Sequence, residues 1–249
     1  MDRYFWFKQL FLQPDPPLVH LLPHWNWDAA NSSSSYSSTP HLAECRGRCQ
    51  RLGDGNIAVD VWVYTNADEA ELFVNGKSKG RVAASSLSHG AWKSVSFEPG
   101  TITAKVYRNG SATVLASETV VTTGPAASFR ASIKDGVGAH GIEADRSDLA
   151  LVQVEIVDAK GHLVPTASHL IRFEVAGVGQ LIGTGNGDPH SHVSDKSPSL
   201  PAFHGLALGV VQGTLTPGII TATVTVEGLP GVENVTIMSR APVSPTPRL

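Results

Sequence analysis

Residues 59–80 read VDVWVYTNADEAELFVNGKSKG, and this run decides the fold class of the chain. Apolar side chains occupy every second position in each half of it: Val59, Val61 and Val63, then Ala70, Leu72 and Val74. Alternation with a period of two places such side chains on one face of a pleated strand. Asn75-Gly76 supplies the positive φ angles that a tight primed turn requires. We therefore predict a β-hairpin over this run.

The same period recurs along the rest of the chain. Ile102, Ala104 and Val106 share one face and Asn109-Gly110 makes a second tight turn, which predicts a small β-sandwich over residues 57–122. Thr123-Gly124-Pro125 interrupts the pattern, since Gly and Pro break strands. Beyond this joint, alternating residues predict an immunoglobulin-like sandwich over residues 126–240: Val152, Val154 and Ile156; Ile171, Phe173 and Val175; Ile220, Ala222, Val224 and Val226.

The N-terminal residues 2–13, DRYFWFKQLFLQ, predict a short helix. Asp2 favours the positive helix N-terminus, and Pro14, Pro16 and Pro17 stop the helix. Its apolar residues cover nearly the whole circumference, so we expect it to be buried on most sides. The predicted fold class is all-β, with two tandem β-sandwich (immunoglobulin-like) domains preceded by this short N-terminal helix. A length of 249 residues suits two domains.

The segment between helix and strands, HLLPHWNW at residues 20–27, is unusually aromatic. Trp25 and Trp27 stand two residues apart and face the same way if the segment is extended. Flat aromatic faces can stack on sugar rings, with a polar group beside them. The alternative is that one or both rings pack against Trp62 and the sandwich core. The candidate carbohydrate contacts are His24, Trp25, Asn26 and Trp27.

Residues 28–56 are rich in Ser and poor in apolar residues, which predicts a flexible surface loop. This loop contains the only two cysteines, Cys45 and Cys49. They could form a local disulfide, provide half of a metal site or stay free, and an inert pair is favoured. No metal site is predicted there because further ligands are not evident.

Composition argues against several functions. The net charge of −3 provides no basic field for nucleic acid. No apolar run approaches the roughly 20 residues that a membrane span needs. Motifs of nucleotide-binding, serine-hydrolase or zinc-protease sites do not occur, so no cofactor is expected. The location of the protein stays open, with an extracellular one favoured.

Two acidic groups have ordinary interpretations. Asp68, Glu69 and Glu71 lie in or beside a strand whose other face is apolar, which indicates a solvated face. A second group, in the sequence GNGDPHSHVSD, could supply metal ligands, but the flanking Gly and Pro favour an exposed polar loop. Its members are Asp188, His190, His192 and Asp195.

Several of these blocks resemble, in the same order, the segment that follows the catalytic barrel in β-galactosidase-like enzymes of glycoside hydrolase family 2. They are PHWNW, VWVYTNADEAELFVNGKSKGR, WKSVSFEPGTITA, ADRSDLALVQVEIVDAKGHLVP, GTGNGD and AFHGLAL. The resemblance implies that residues 1–17 match the last barrel helix and that residues 18–123 form the first sandwich, with 28–56 inserted. Residues 124–240 would form the immunoglobulin-like domain, and 241–249 a Pro-rich tail.

The resemblance also implies a function. The two catalytic Glu residues of this family lie on barrel strands, none of which is present, so the chain is expected to have no catalytic residues and no activity alone. Its expected role is the C-terminal accessory portion of a β-galactosidase-like glycoside hydrolase. It would pack on the barrel and bring the Trp loop, here residues 23–27, towards a galactoside at the active-site rim. The alternatives are a stand-alone carbohydrate-binding or adhesion module and an incomplete gene product.

Overall fold

The computed structural model describes residues 2–12, 15–22, 25–26, 49–51, 56–134, 138 and 140–242. The chain forms two compact units, Met1–Thr122 and Thr123–Leu249. Unit 1 consists of α1 (Asp2–Phe11), β1 (Val19–Leu22), β2 (Cys49–Arg51), β3 (Ile57–Thr65), β4 (Glu69–Val74), β5 (Lys77–Ala83), β6 (Gly90–Ser96), β7 (Thr101–Tyr107) and β8 (Ala116–Val121). The described part of the chain has no helix with the length and apolarity that a membrane span requires.

Unit 2 contains only strands among its described residues. They are β9 (Ala126–Ile133), β10 (Ile142–Glu143), β11 (Leu149–Asp158), β12 (Leu170–Gly177), β13 (Gly179–Gly185), β14 (Ser199–Pro201), β15 (Leu206–Gly213), β16 (Gly218–Val226) and β17 (Glu233–Arg240). Each unit pairs its strands into two sheets that enclose one apolar core. The prediction of tandem β-sandwiches after a short helix is therefore confirmed.

The first sheet of unit 1 is built around β3. Trp62 pairs with Leu22 of β1 and with Ala91 of β6, while Val59 pairs with Cys49 of β2 and with Val95 of β6. A strand residue has only two neighbours in a sheet, so β1 and β2 lie end to end along one side of β3, and β6 lies along the other.

The second sheet of unit 1 has the antiparallel order β5-β4-β7-β8. Leu72 of β4 and Ile102 of β7 are fully buried on its inner face, and Val61 of β3 is fully buried in the same core from the first sheet. The Asn75-Gly76 turn, with φ angles of 48° and 77°, joins β4 to β5. The alternation of buried side chains in residues 59–74 occurs as predicted.

The prediction that residues 59–80 form one hairpin is wrong in its pairing. The hairpin consists of β4 and β5, whereas β3 belongs to the opposite sheet. The physical reason is that β3 and β4 both have one apolar face. Alternation shows that each strand has such a face but not which sheet the strand joins, and in facing sheets the two faces cover each other across one core.

The prediction that residues 28–56 form a loop without strands is also wrong at its end. Cys49–Arg51 forms β2, which pairs with Val59–Ile57 of β3. A chain segment that returns beside an unpaired strand edge can satisfy backbone hydrogen bonds whatever its side chains are. Residues 27–48 lie outside the described part of the chain.

Unit 2 encloses its core between the sheets β13-β15-β11-β9 and β10-β17-β16-β12-β14. The predicted alternating residues of β11 and β16 are buried, and so are Ile171 and Phe173 of β12. Gly209 of β15 lies under the Phe173 ring, where a β-carbon would come within 2.8 Å of two ring atoms. The two sheets therefore approach closely at this point because β15 has no side chain there.

Candidate functional site

The outer face of α1 presents a row of aromatic side chains to solvent. Tyr4, Phe7 and Phe11 are 60%, 54% and 81% exposed, and their spacing of three and four residues places them on one helix face. We call these three residues the aromatic stripe. Three exposed aromatic side chains on one helix face form a candidate interaction surface. The expected burial of α1 is met on one face only, and the other face is exposed in this chain by itself.

The opposite face of α1 is anchored to the first sheet of unit 1. The Phe5 ring stacks on His20 of β1 with centroids 3.5 Å apart, and Trp6 meets Tyr64 of β3 edge to face at 5.7 Å. The fully buried Gln9 donates from Nε2 to the carbonyl oxygen of Ser88, at 3.0 Å. These contacts hold the helix in one orientation, with the aromatic stripe outward.

Two buried or half-buried polar residues secure this anchor, and sequence reasoning missed both. Asn66 Nδ2 donates to the carbonyl oxygens of Leu12 and Pro16, and its Oδ1 accepts from the Leu18 N–H at 2.7 Å. Glu118 Oε2 accepts from the Leu21 N–H at 2.6 Å. An Asn directly after an apolar strand is the only signal that could have indicated the first of these contacts.

The structure places Trp25 in the core of unit 1 and not on its surface. Trp25 has no accessible surface, its Nε1 donates to the carbonyl oxygen of Glu98 at 2.9 Å, and Phe97 meets its ring edge to face at 5.1 Å. Thr122 Oγ1 donates to the Trp25 carbonyl oxygen at 2.7 Å. A buried ring offers no face to a sugar, so the proposed carbohydrate contact at Trp25 is wrong. The packing alternative holds, with Phe97 as the ring partner.

The remaining predicted site residues are only partly covered by the structure. Asn26 is half-buried beside Trp25. His24, Trp27 and Cys45 lie outside the described residues, and Cys49 is described only as a backbone position of β2. Their roles as carbohydrate contacts or as a disulfide stay predictions.

The acidic residues of β4 form ion pairs on the outer surface of the second sheet of unit 1. Glu69 lies 2.9 Å from Arg81 of β5, and Arg81 also stacks over the Tyr107 ring at 3.6 Å. The Tyr107 hydroxyl donates to Glu71 at 3.1 Å. Burial, together with this hydrogen bond, raises the pKa of Tyr107 above its usual value. These carboxylates stabilise a surface and do not face one another across a cleft.

In unit 2, the residues after β13 form a series of short polar turns. Asp188 N–H donates to Asn186 Oδ1, and His190 N–H donates to Asp188 Oδ1, each at 2.9 Å. The His190 side chain is almost fully exposed, with Nδ1 3.6 Å from Asp188. Among the residues that the structure describes, no three His, Cys, Asp or Glu side chains are placed to hold a metal ion.

Two family models match the chain. Residues 137–234 match the glycoside hydrolase family 2 C-terminal domain 5, and residues 56–114 match a domain of unknown function (DUF4982). The β-galactosidase BoGH2A of Bacteroides ovatus is 37% identical over 218 residues, which are 86% of this chain and 22% of that protein. The chain corresponds to the C-terminal region of glycoside hydrolase family 2 enzymes. A β-glucuronidase of Formosa agariphila is 28% identical over 86% of the chain and 20% of its own length.

Solved structures share the fold of this chain. A glycosyl hydrolase family 2 member from Bacteroides cellulosilyticus superposes with a TM-score of 0.72 and 25% identity, over 96% of this chain and 30% of that one. A β-glycosidase from Bacteroides vulgatus has the same fold, with a TM-score of 0.73 and 24% identity over 95% of the chain and 26% of its own. The family 2 C-terminal region described here spans about a fifth of the length of the curated relatives it matches.

Proposed function

We propose that this chain serves as the non-catalytic C-terminal portion of a family 2 glycosidase and that the aromatic stripe of α1 docks on the catalytic barrel. The observation that carries the proposal is the two-sided character of α1. One face is fixed by Phe5, Trp6 and Gln9, and the other exposes Tyr4, Phe7 and Phe11. A helix held so firmly with its aromatic side chains outward is suited to a rigid docking surface.

The chemistry of the described residues supports an accessory role. Glycoside hydrolysis needs two carboxyl groups facing each other across the sugar, roughly 5 Å apart for retention of configuration. Glu69 and Glu71 both lie on β4 and are held by Arg81, Tyr107 and Ser78. We expect the purified chain to hydrolyse neither an aryl β-galactoside nor an aryl β-glucuronide. Turnover that a point substitution within the chain abolished would contradict this expectation.

The docking proposal is tested by adding the chain to the Bacteroides ovatus β-galactosidase produced without its matching C-terminal region. Affinity is measured by sedimentation, and hydrolysis of an aryl β-galactoside is followed in parallel. The test variant carries Tyr4→Ser, Phe7→Ser and Phe11→Ser. The matched control carries Leu215→Ser, Ile219→Ser and Val232→Ser, which also replace three exposed apolar side chains.

Each stripe residue that becomes buried contributes about 1 kcal/mol after the costs of association, so the triple variant should raise Kd by about a hundredfold. The control triple should bind like the unchanged chain. Circular dichroism establishes that both variants are folded. Equal affinities for the two triple variants would refute docking through the stripe.

Contact of the Trp loop with a galactoside also remains a proposal. With Trp25 buried, it depends on His24, Asn26 and Trp27. Saturable polysaccharide binding by the purified chain, lost on Trp27→Ala, would instead favour a stand-alone carbohydrate-binding module. A galactosidase assay of the reconstituted complex with the same variant tests the rim position, since an unchanged KM would exclude it.

A further inference from the structure

Three Asn-Gly dipeptides lie among the described residues of this chain, and they differ in how the Asn side chain is held. They are Asn75-Gly76, Asn109-Gly110 and Asn186-Gly187. The three glycines have similar φ angles of 77°, 70° and 79°, and a β-carbon built on any of them would meet nothing within 4 Å. Crowding around the glycine therefore does not distinguish the three sites.

Hydrogen bonding to the amide does distinguish them. Asn75 Oδ1 accepts from the Thr101 N–H at 2.8 Å, and its Nδ2 donates to the Pro99 carbonyl oxygen at 3.2 Å. Asn186 is held in the same way, because Nδ2 donates to the Pro201 carbonyl oxygen and Oδ1 accepts from the Asp188 N–H, each at 2.9 Å. In both residues, Oδ1 and Nδ2 of the side-chain amide each have a hydrogen-bond partner.

Asn109 has no such hydrogen bonds to its side-chain amide among the described residues. Its side chain is exposed and makes no hydrogen bond to any residue that the structure describes, although its backbone N–H donates to Asp68 Oδ2 at 3.1 Å. The turn around it closes through the Ser111 N–H and the Arg108 carbonyl oxygen, at 3.0 Å. The φ angles of Asn109 and Gly110, 48° and 70°, are close to those of the Asn75-Gly76 turn.

We infer that Asn109 is a site of spontaneous deamidation, from which Asn75 and Asn186 are protected. The Gly110 backbone nitrogen attacks Asn109 Cγ, so a C–N bond forms while the Cγ–Nδ2 bond breaks. Ammonia leaves with the proton of the Gly110 N–H, and a five-membered succinimide remains. Water then opens the ring at either carbonyl carbon. Opening at Cγ leaves an aspartate at this position, and opening at the backbone carbonyl leaves an isoaspartate, in which the main chain runs through the former side chain.

The modification would alter this turn. It adds one negative charge to a chain whose net charge is −3, and it does so beside the Asp68 carboxylate. The isoaspartyl form also inserts one methylene into a two-residue turn that lies between β7 and β8. Ser111, whose carbonyl oxygen accepts from Arg81 at 3.0 Å, lies in the same turn. We therefore expect the Ser111 amide to exchange with solvent faster after deamidation.

The test incubates the full chain in mildly alkaline buffer made with heavy-oxygen water and maps the three dipeptides by mass spectrometry over time. Reaching the attack geometry at Asn75 or Asn186 first breaks two hydrogen bonds, so Asn109 should react at least about tenfold faster, a difference of about 1.4 kcal/mol in barrier. Asn109→Gln should abolish the fast phase. The same incubation in concentrated urea removes the native hydrogen bonds, and the three rates should then be similar.

Two outcomes would overturn the inference. One is a native rate at Asn75 or Asn186 equal to that at Asn109. The other is absence of reaction at Asn109 in the folded chain together with reaction in urea, because the turn backbone would then block the attack by itself.

Discussion

Replacement of Trp25 tests most directly whether its side chain belongs to the core of unit 1. The indole is fully buried, contacts Phe97 and donates to the Glu98 carbonyl oxygen. Trp25→Ala removes the ring, leaves a cavity and leaves that oxygen without its donor. Truncations of this size cost about 3–5 kcal/mol. With a denaturant slope of about 2 kcal/mol per molar urea, the midpoint of unit 1 should fall by about 2 M.

The assay can observe unit 1 by itself. All five Trp residues of the chain precede residue 122, so Trp fluorescence reports unfolding of unit 1 and not of unit 2. Four Trp residues remain in the variant to report the transition. Trp25→Phe separates the two contributions, since it keeps a ring against Phe97 and loses only the N–H donor and part of the volume. We expect it to cost about 1–3 kcal/mol.

Leu87→Ala is the matched control, because Leu87 belongs to the same unit and is 78% exposed. Exposed substitutions of this kind change stability by about 0.5 kcal/mol or less. If Trp25→Ala and Leu87→Ala shift the urea midpoint equally, the assignment of Trp25 to the core is refuted. Trp25 would then again be a candidate carbohydrate contact of the Trp loop.

Two further predictions concern unit 2. Gly209→Ala should lower the free energy of unfolding of unit 2 by about 1–3 kcal/mol, because the new β-carbon would overlap the Phe173 ring. Gly185→Ala is the control, since a β-carbon there has open space around it and should not cause this loss. Hydrogen exchange of the β15 amides compares the two variants. Burial opposes ionisation of Asp158, but N–H groups of His162, Gly124 and Lys160 donate to it and lower its pKa to about 2. Because this pKa lies below the unfolded value near 4, the stabilisation is complete above about pH 4 and is lost as the pH falls towards 2. Asp158→Asn should therefore lower the thermal midpoint of unit 2 at neutral pH, and a gap from the unchanged chain that stayed constant down to pH 2 would contradict this.

Much of the fold could be predicted from local patterns. The burial of Val61, Leu72 and Val154 follows from alternation alone, because a strand with one apolar face is stable only when that face is covered. The Asn75-Gly76 turn was equally readable, since few other dipeptides adopt two positive φ angles without strain. The family resemblance likewise rested on local blocks that keep their order along the chain.

The candidate site was less accessible to such reasoning. That α1 exposes Tyr4, Phe7 and Phe11 follows from which residues its other face meets, and those partners lie on β1, on β3 and in the segment before β6. The sequence shows an aromatic helix but not its rotation about its own axis. Asn66 and Glu118, which secure the anchor, carry no periodic signal at all.

The sequence by itself determined that the alternating apolar runs form strands, which face of each run is apolar and where the Asn75-Gly76 and Asn109-Gly110 turns lie, because these properties depend on neighbours within a few positions. Only the tertiary structure decided that β3 and β4 belong to opposite sheets, that β2 continues the edge begun by β1 and that Trp25 points into the core. Each of these outcomes depends on groups distant along the chain. The Trp25 indole, for example, is held by a carbonyl group 73 residues away. Alternation in the sequence identifies the buried face of a strand, whereas the elements that pack on that face depend on contacts made throughout the folded chain.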